Sequence, residues 1–325
     1  MVVGYGQQKK GMLVSSVQSI APAELRMPSS SLSTGFAGRL AGVIAVQRNG
    51  QPGADQADFW IRGISTFGSA TKPLIILDGV AIDANELNGL DPEIIESFSV
   101  LKDATATALY GSRGANGVMI ITTKKAREGQ ARVNINGSFG FKAITNKIAL
   151  TDAEGFKLLY NEQLRNEGNP EYDFTPWTGN TNWQDEIFQT AFITNNNISI
   201  ASASAKNSFY LGVGYAYEQG NIKHEKFRKV TMNISSDYKL TDNLKVGFQF
   251  NGARLLPADS KSVATALRAA PVVPVFNEEY GLYTTLPNFQ KAQMNNPMVD
   301  VTLKANTTRA ENYRGSGNVY GEWDF

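Results

Sequence analysis

Cysteine is absent from the 325 residues. That excludes a disulfide framework, a thiolate metal site and a cysteine nucleophile, and it permits an oxidising compartment. Histidine occurs once, as His224 between Lys223 and Glu225. A lone histidine in a charged link is expected to be solvated, and no Ser-His-acid arrangement is credible around it. Neither charge sign dominates: 31 basic and 30 acidic side chains leave a net charge of +1. That removes the electrostatic case for nucleic acid or an anionic membrane surface. No run approaches the ~18 consecutive apolar residues of a membrane helix. The longest apolar runs, such as Val118-Met119-Ile120-Ile121, are short. Barrel strands alternate and escape such a test, so a transmembrane barrel stays open. The start, Met1-Val2-Val3-Gly4, has no signal-peptide pattern.

Two rhythms divide what is there. Residues 1 to 126 read as a compact α/β unit. Gly42-Val43-Ile44-Ala45-Val46, Phe59-Trp60-Ile61, Leu74-Ile75-Ile76-Leu77, Phe98-Ser99-Val100-Leu101 and Gly117 to Thr122 are short runs, several almost wholly apolar. Strands covered on both faces look like that. Asp91-Pro92-Glu93 predicts a helix start, with an N-cap, a proline at N1 and an acid in the first turn. Asp103 predicts the cap of a helix from Ala104 to Tyr110, closed by Gly111. Gly111, Gly114 and Gly117 follow a helix and lead into a strand, which is the reverse of a dinucleotide fingerprint, so a tight turn is expected. Asp83, Asn85 and Asn88-Gly89 miss the calcium-loop spacing and are expected to form a turn-rich loop.

From about residue 131 the period is two. Val133, Ile135, Phe139 and Phe141 interleave with Arg132, Asn134, Asn136 and Ser138. Phe209 to Tyr217, Val230 to Tyr238 and Leu244 to Phe250 repeat the pattern, Ile198-Ser199-Ile200 begins a weaker strand, and Val319 and Trp323 continue it. Segments of ~10 residues with that dyad repeat signal a transmembrane barrel. A soluble sandwich also alternates. Link lengths separate the two. Links near 144–190, 218–228 and 256–316 are long or medium, and they alternate with tight turns at Ala205-Lys206-Asn207 and Leu240-Thr241-Asp242-Asn243. Long external loops and short periplasmic turns have that parity.

The run from Ser97 through Leu101-Lys102-Asp103, Tyr110-Gly111-Ser112-Arg113-Gly114 and Val118 to Lys124 resembles a family's motif. It is similar to the closing segment of the plug domain in TonB-dependent outer-membrane transporters, in the SusC/RagA variant. Val2-Val3-Gly4-Tyr5-Gly6 resembles the plug opening, Phe59-Trp60-Ile61-Arg62-Gly63 its Ile-Arg-Gly strand end, and Pro73 to Val80 the next strand. Asn182 to Phe188 is similar to a segment ahead of the second barrel strand.

The resemblance implies an α+β plug domain over 1–126, then an antiparallel transmembrane β-barrel over 127–325, with about six strands present. Plugged transporters close with about 22 strands, so a piece shortened at both ends is expected. The implied function is energised import of large nutrients, chiefly glycan oligosaccharides, with no bond chemistry, no enzyme activity and no cofactor. The implied partners are a TonB-ExbB-ExbD-type energy-coupling complex, a SusD-like surface lipoprotein and outer-membrane lipid. Peptides, iron chelates or a vitamin are alternative cargoes on the same fold, and a structural or adhesive surface β-protein is the alternative outside it. Val2, Val3, Gly4, Tyr5 and Gly6 are the candidate coupling segment, able to add as a strand to a partner's sheet. Arg62 and Arg113 are candidates for pairing with carboxylates on the barrel wall. Phe59, Trp60, Tyr172, Trp177 and Trp183 are candidates to stack on sugar faces or a partner; the loop holding Tyr172, Trp177 and Trp183 is the candidate contact loop.

Overall fold

The structure, a computed structural model, describes residues 2–3, 6–7, 17–20, 29, 31–63, 71–102, 108–258, 263–307 and 310–324. Its strands are β1 (Val2–Val3), β2 (Gly6–Gln7), β3 (Val17–Ile20), β4 (Val43–Gln47), β5 (Ala57–Ile61), β6 (Leu74–Leu77), β7 (Val80–Ile82), β8 (Ile95–Leu101) and β9 (Val118–Thr123). Then follow β10 (Gly129–Lys142), β11 (Ala191–Ala203), β12 (Asn207–Gln219), β13 (Lys226–Lys239), β14 (Leu244–Leu256), the short β15 (Phe276–Asn277) and β16 (Leu282–Tyr283), and β17 (Asn312–Trp323).

The N-terminal unit is built on a five-stranded mixed sheet in the order β3-β8-β9-β6-β7, with β4 and β5 forming a separate ribbon. β6 runs parallel to β9, and the apolar runs Leu74–Leu77 and Val118–Thr123 are accordingly buried. β6 and β7 are joined through Asp78-Gly79, both with positive φ (47° and 89°), as a two-residue hairpin of the primed kind demands. Three phenylalanines centre the core. Phe36 meets Phe59 edge-on at 5.1 Å and Phe98 at 5.8 Å between ring centroids. Gly117 carries φ of 90°, and a methyl there would lie 2.8 Å from Ile61 Cδ1. The glycine therefore sets both the backbone turn and the seating of β5 against β9.

Two local expectations need correction. Asp91 does cap a turn and accepts from the Glu93 N–H at 2.9 Å, but Pro92–Ile94 is a single 3-10 turn. Ile95 then enters β8, because apolar residues there are better buried in the sheet. The stretch around Asp83 is a helix, Ala84–Gly89, not a loop. Asp83 accepts from Glu86 N–H and Glu86 from Asp83 N–H, a reciprocal capping box visible in the spelling Asp83-Ala84-Asn85-Glu86. The helix expected from Ala104 falls partly outside the described residues. Ala108–Gly114 forms 3-10 turns broken at Gly111.

The second part is a six-stranded antiparallel sheet in sequence order, β10-β11-β12-β13-β14-β17. It curves as an open section of barrel wall. Alternation sorts its faces. Asn197, Ser199, Thr231, Asn233, Ser235 and Gln249 are buried on the inner face, against the N-terminal unit. Ile135, Phe139, Ile200, Val213, Met232 and Phe250 are exposed on the outer face. Apolar side chains thus face outward and polar ones inward, the inverse of a water-soluble sandwich. Outward aromatics gather near both strand ends. Phe141, Phe192 and Tyr217 form a chain at the long-link end, while Phe209, Tyr238 and Trp323 stand near the short turns.

The long links are not loose. Helices Ala153–Asn166 and Trp183–Ile187 pack with 263–301 into a separate apolar cluster beyond the strand ends. Asp152 and Asn182 cap those helices through the N–H groups of Gly155 and Gln184.

Candidate functional site

Among the described residues no group of His, Cys, Asp or Glu is arranged to hold a metal. His224 is an exposed residue with φ of 68° in the link between β12 and β13. The chemistry of this molecule lies in how the N-terminal unit seats on the inner face of the sheet.

Contacts fall at three levels. Near the short turns, Lys125, two residues after β9, donates to Tyr320 Oη at 3.0 Å and lies 3.7 Å from Asp237. Tyr320 donates to Asp237, and Lys245 bridges Asp237 and Glu322 at 3.8 and 3.2 Å. Near the long links, Gln51 Nε2 donates to the Ala258 carbonyl at 2.9 Å. The Phe227 ring covers Gly53 so closely that no side chain fits there.

Between these levels lies a buried polar seat. Asp91 is 9% exposed and Lys229 is 4% exposed. Lys229 Nζ donates to the carbonyls of Asn88 and Leu90 at 3.3 and 3.2 Å. Those carbonyls end the helix Ala84–Gly89, where a cation is favoured by the helix dipole. Asp91 divides its carboxylate. Oδ1 caps its own turn, and Oδ2 accepts from Asn197 Nδ2 at 2.8 Å and from Thr231 Oγ1 at 3.5 Å. The carboxylate reaches the wall through a slot over Gly214, where any Cβ would collide with it. Arg314 donates to the Asn85 carbonyl, and Asn136 Nδ2 approaches Glu93 at 3.4 Å. A cavity of about 520 Å³ adjoins the seat, lined in part by Asp91, Glu93, Asn136, Asn195, Asn197 and Thr231. Beside Gln249, Asn251 and Asn318 of β14 and β17, burial pushes the Asp78 carboxyl above its ordinary value. Hydrogen bonds from Thr123 N–H and Oγ1, at 2.9 and 2.7 Å, oppose that shift.

The residues singled out from sequence are distributed differently. Arg62 is exposed, with φ of 59°, and its N–H donates to the Gly42 carbonyl at 2.8 Å. Arg113 is exposed in the turn before β9. Val2–Val3 pairs antiparallel with Gly6–Gln7; Gly4 and Tyr5, between them, lie outside the described residues. Trp183 is only 2% exposed, and its indole N–H donates to the Ala270 carbonyl at 3.0 Å, so it anchors the loop cluster from inside. Tyr172 and Trp177 are half-buried at that cluster's margin, Tyr172 against Tyr160, Phe174 and Phe289. Phe59 belongs to the N-terminal core, and Trp60 is half-buried on the β4–β5 ribbon. Sequence reasoning missed Asp91, Lys229 and Gly214 as a set. The available signal was Lys229, a charge on the inward-facing register of β13 directly ahead of the polar Thr231, Asn233 and Ser235.

Comparisons with known proteins agree with this architecture. Residues 9–118 match the family described as TonB-dependent Receptor Plug Domain. The chain is 36% identical over 296 residues to TonB-dependent receptor SusC of Bacteroides thetaiotaomicron, covering 86% of this chain and 29% of that protein. It is 31% identical over 339 residues to TonB-dependent receptor P3 of Formosa agariphila, covering 100% of this chain and 32% of that protein. The chain thus spans about a third of the length of these curated relatives. Its fold superposes on a solved structure of the RagAB peptide importer in the open-open state. The TM-score is 0.83 at 23% identity, over 100% of this chain and 40% of that one.

Proposed function

Since the chain belongs to the SusC/RagA branch of TonB-dependent receptors, we propose that the whole protein imports a large nutrient across the outer membrane, driven by a TonB-type complex. One observation carries this reading. A sheet with an apolar outer face and a polar inner face clasps a folded α+β unit, which only a lipid-embedded, plugged wall requires.

Glycan oligosaccharides are the favoured cargo. Inward-facing amides and hydroxyls line the part of the wall that the N-terminal unit leaves open, at Asn136, Ser138 and Asn195. Such a lining offers donors and acceptors to an uncharged, hydroxyl-rich solute. Peptides are the second reading, because the superposed transporter is described as a peptide importer; at 23% identity that likeness speaks to fold and not to cargo.

A SusD-like lipoprotein is the proposed surface partner, with Tyr172 and Trp177 as the loop residues offered to it or to cargo. Val2 to Gly6 is the proposed coupling segment. Arg62 and Arg113 remain candidates for ion pairs with wall strands beyond these six. The test is fractionation and uptake by the full-length protein. It should sediment with the outer membrane and accumulate members of a neutral oligosaccharide panel, or of a mass-matched peptide panel, in a protonophore-sensitive manner. Recovery in a soluble fraction would overturn the reading.

A further inference from the structure

Charge on the outer face of the wall is confined to one end. Along the outward register of β10 to β14 and β17, the charged side chains are Lys226 and Arg228 on β13 and Arg254 on β14. All are cationic, all are exposed, and all stand at the long-link end of their strands. At the short-turn end the same face presents Phe209, Tyr238, Val246 and Trp323 instead. The chain's net charge of +1 averages this polarity away. Register places the cations close together. Lys226 and Arg228 are two residues apart on one face, roughly 7 Å along the strand. Arg228 pairs with Leu256 and Val230 with Arg254, so the two arginines are diagonal neighbours about 7–8 Å apart. Aromatic rings hold the guanidinium groups. Arg228 lies over the Tyr217 ring, 5.9 Å from its centroid, and Arg254 over Tyr313 at 5.8 Å. Arg254 also pairs with Glu311 at 2.9 Å, which balances its charge. Lys226 and Arg228 have no ion-pair partner among the described residues.

A cation on a lipid-facing strand is tolerated near the interface, where its side chain reaches the headgroups. Long links mark the external end of such a wall. Tyr217 belongs to the aromatic chain with Phe192 and Phe141 at that end, which sets Arg228 at girdle level. Solvation alone would admit acids at this level as readily as bases, yet the outward positions of these strands carry no acid.

We propose that Lys226 and Arg228, with Tyr217 beside them, form a site for the phosphate-bearing headgroup of a glycolipid in the outer leaflet. Arg228 offers a planar fork to two phosphate oxygens, and Lys226 supplies a point charge next to it. Tyr217 keeps the arginine against the wall. Below them, the exposed apolar side chains of Val230 and Met232 suit the acyl chains of the same lipid. The proposal rests on the lipid-embedded wall of the reading above.

The test is native mass spectrometry of the full-length protein in detergent, mixed with diphosphoryl lipid A or with its dephosphorylated form. The wild type should retain the phosphorylated lipid more strongly, by roughly 30-fold for two cations near a charged headgroup. Lys226→Gln/Arg228→Gln should lose that preference, and each single exchange should lose part of it. Lys206→Gln/Lys239→Gln removes the same charge from exposed positions at the short-turn end and should keep it. Equal retention of the two lipids by the wild type, or an undiminished preference in Lys226→Gln/Arg228→Gln, would overturn the proposal. Displacement of the lipid by excess inorganic phosphate would overturn it too, because the site would then answer to free phosphate. The gel-mobility difference between unboiled and boiled samples reports separately on the barrel. A wild type without that difference would overturn the wall reading, whereas a heat-modifiable wild type without lipid preference would overturn the lipid site alone.

Discussion

Replacing Met232 with arginine distinguishes a lipid-facing wall from a water-facing sheet. Met232 lies at the centre of β13, paired with Val213 and Gly252, with its side chain on the outer face and 41% exposed. On a soluble sheet an exposed methionine exchanged for arginine changes stability by no more than about 0.5 kcal/mol. At a bilayer midplane the same exchange costs about 2–4 kcal/mol, roughly 30-fold to several-hundredfold in the folded-to-unfolded ratio. Tyr238 is the internal control. It lies on the same strand and the same face, close to the short turn that follows β13. An arginine there can reach the interface and is expected to cost about 0–1 kcal/mol. The assay is urea-dependent folding of the full-length protein into lipid vesicles, read by the mobility difference between unboiled and boiled samples. The expected order is wild type, then Tyr238→Arg slightly below it, then Met232→Arg far below. If Met232→Arg stays within about 0.5 kcal/mol of wild type in vesicles, the outer face is not in lipid and the wall reading fails.

Two further predictions concern the plug. Gly117→Ala forces a methyl into a left-handed backbone, at about 1–2 kcal/mol, and against Ile61 Cδ1 at 2.8 Å, at about 1–3 kcal/mol. Urea unfolding followed by tryptophan fluorescence should register most of that sum, and a change under about 0.5 kcal/mol would mean that β5 shifts freely away from β9. Asp78→Asn tests the buried carboxyl. Burial raises its pKa from 3.8, so the fold prefers the neutral form; wild-type stability is then fullest below 3.8 and falls as pH rises through the raised value. The asparagine variant should be the more stable of the two near pH 7, with the advantage fading as pH falls towards 3.8. A constant difference across that range would refute the assignment.

Much of this architecture is written locally. The dyad alternation of β10 to β14 and β17 is a per-residue signal, since successive strand side chains point to opposite faces. It therefore shows the number of wall strands and which residues face outward. Link lengths add which strand ends share a side. The apolar runs of β6 and β9 announce burial on both faces, and the capping box at Asp83 and Glu86 was legible although a loop was expected there. The short apolar stretch after Asp91 was ambiguous, because a single turn and a helix begin with the same cap.

The seat was not legible. Asp91 and Lys229 are 138 positions apart in the chain, and each has an ordinary local explanation, one as a cap and the other as a strand charge. Nothing in either neighbourhood specifies that the end of the helix Ala84–Gly89 meets β13, or that Gly214 on β12 leaves a slot at that height. Likewise, Trp183 reads from sequence as an available aromatic, and only the packing of 263–301 over it makes it an anchor. Local sequence determines backbone preference and the face on which a side chain lies. Which distant surface that side chain meets is set by how the plug is seated against the wall, a long-range packing outcome that no short window contains.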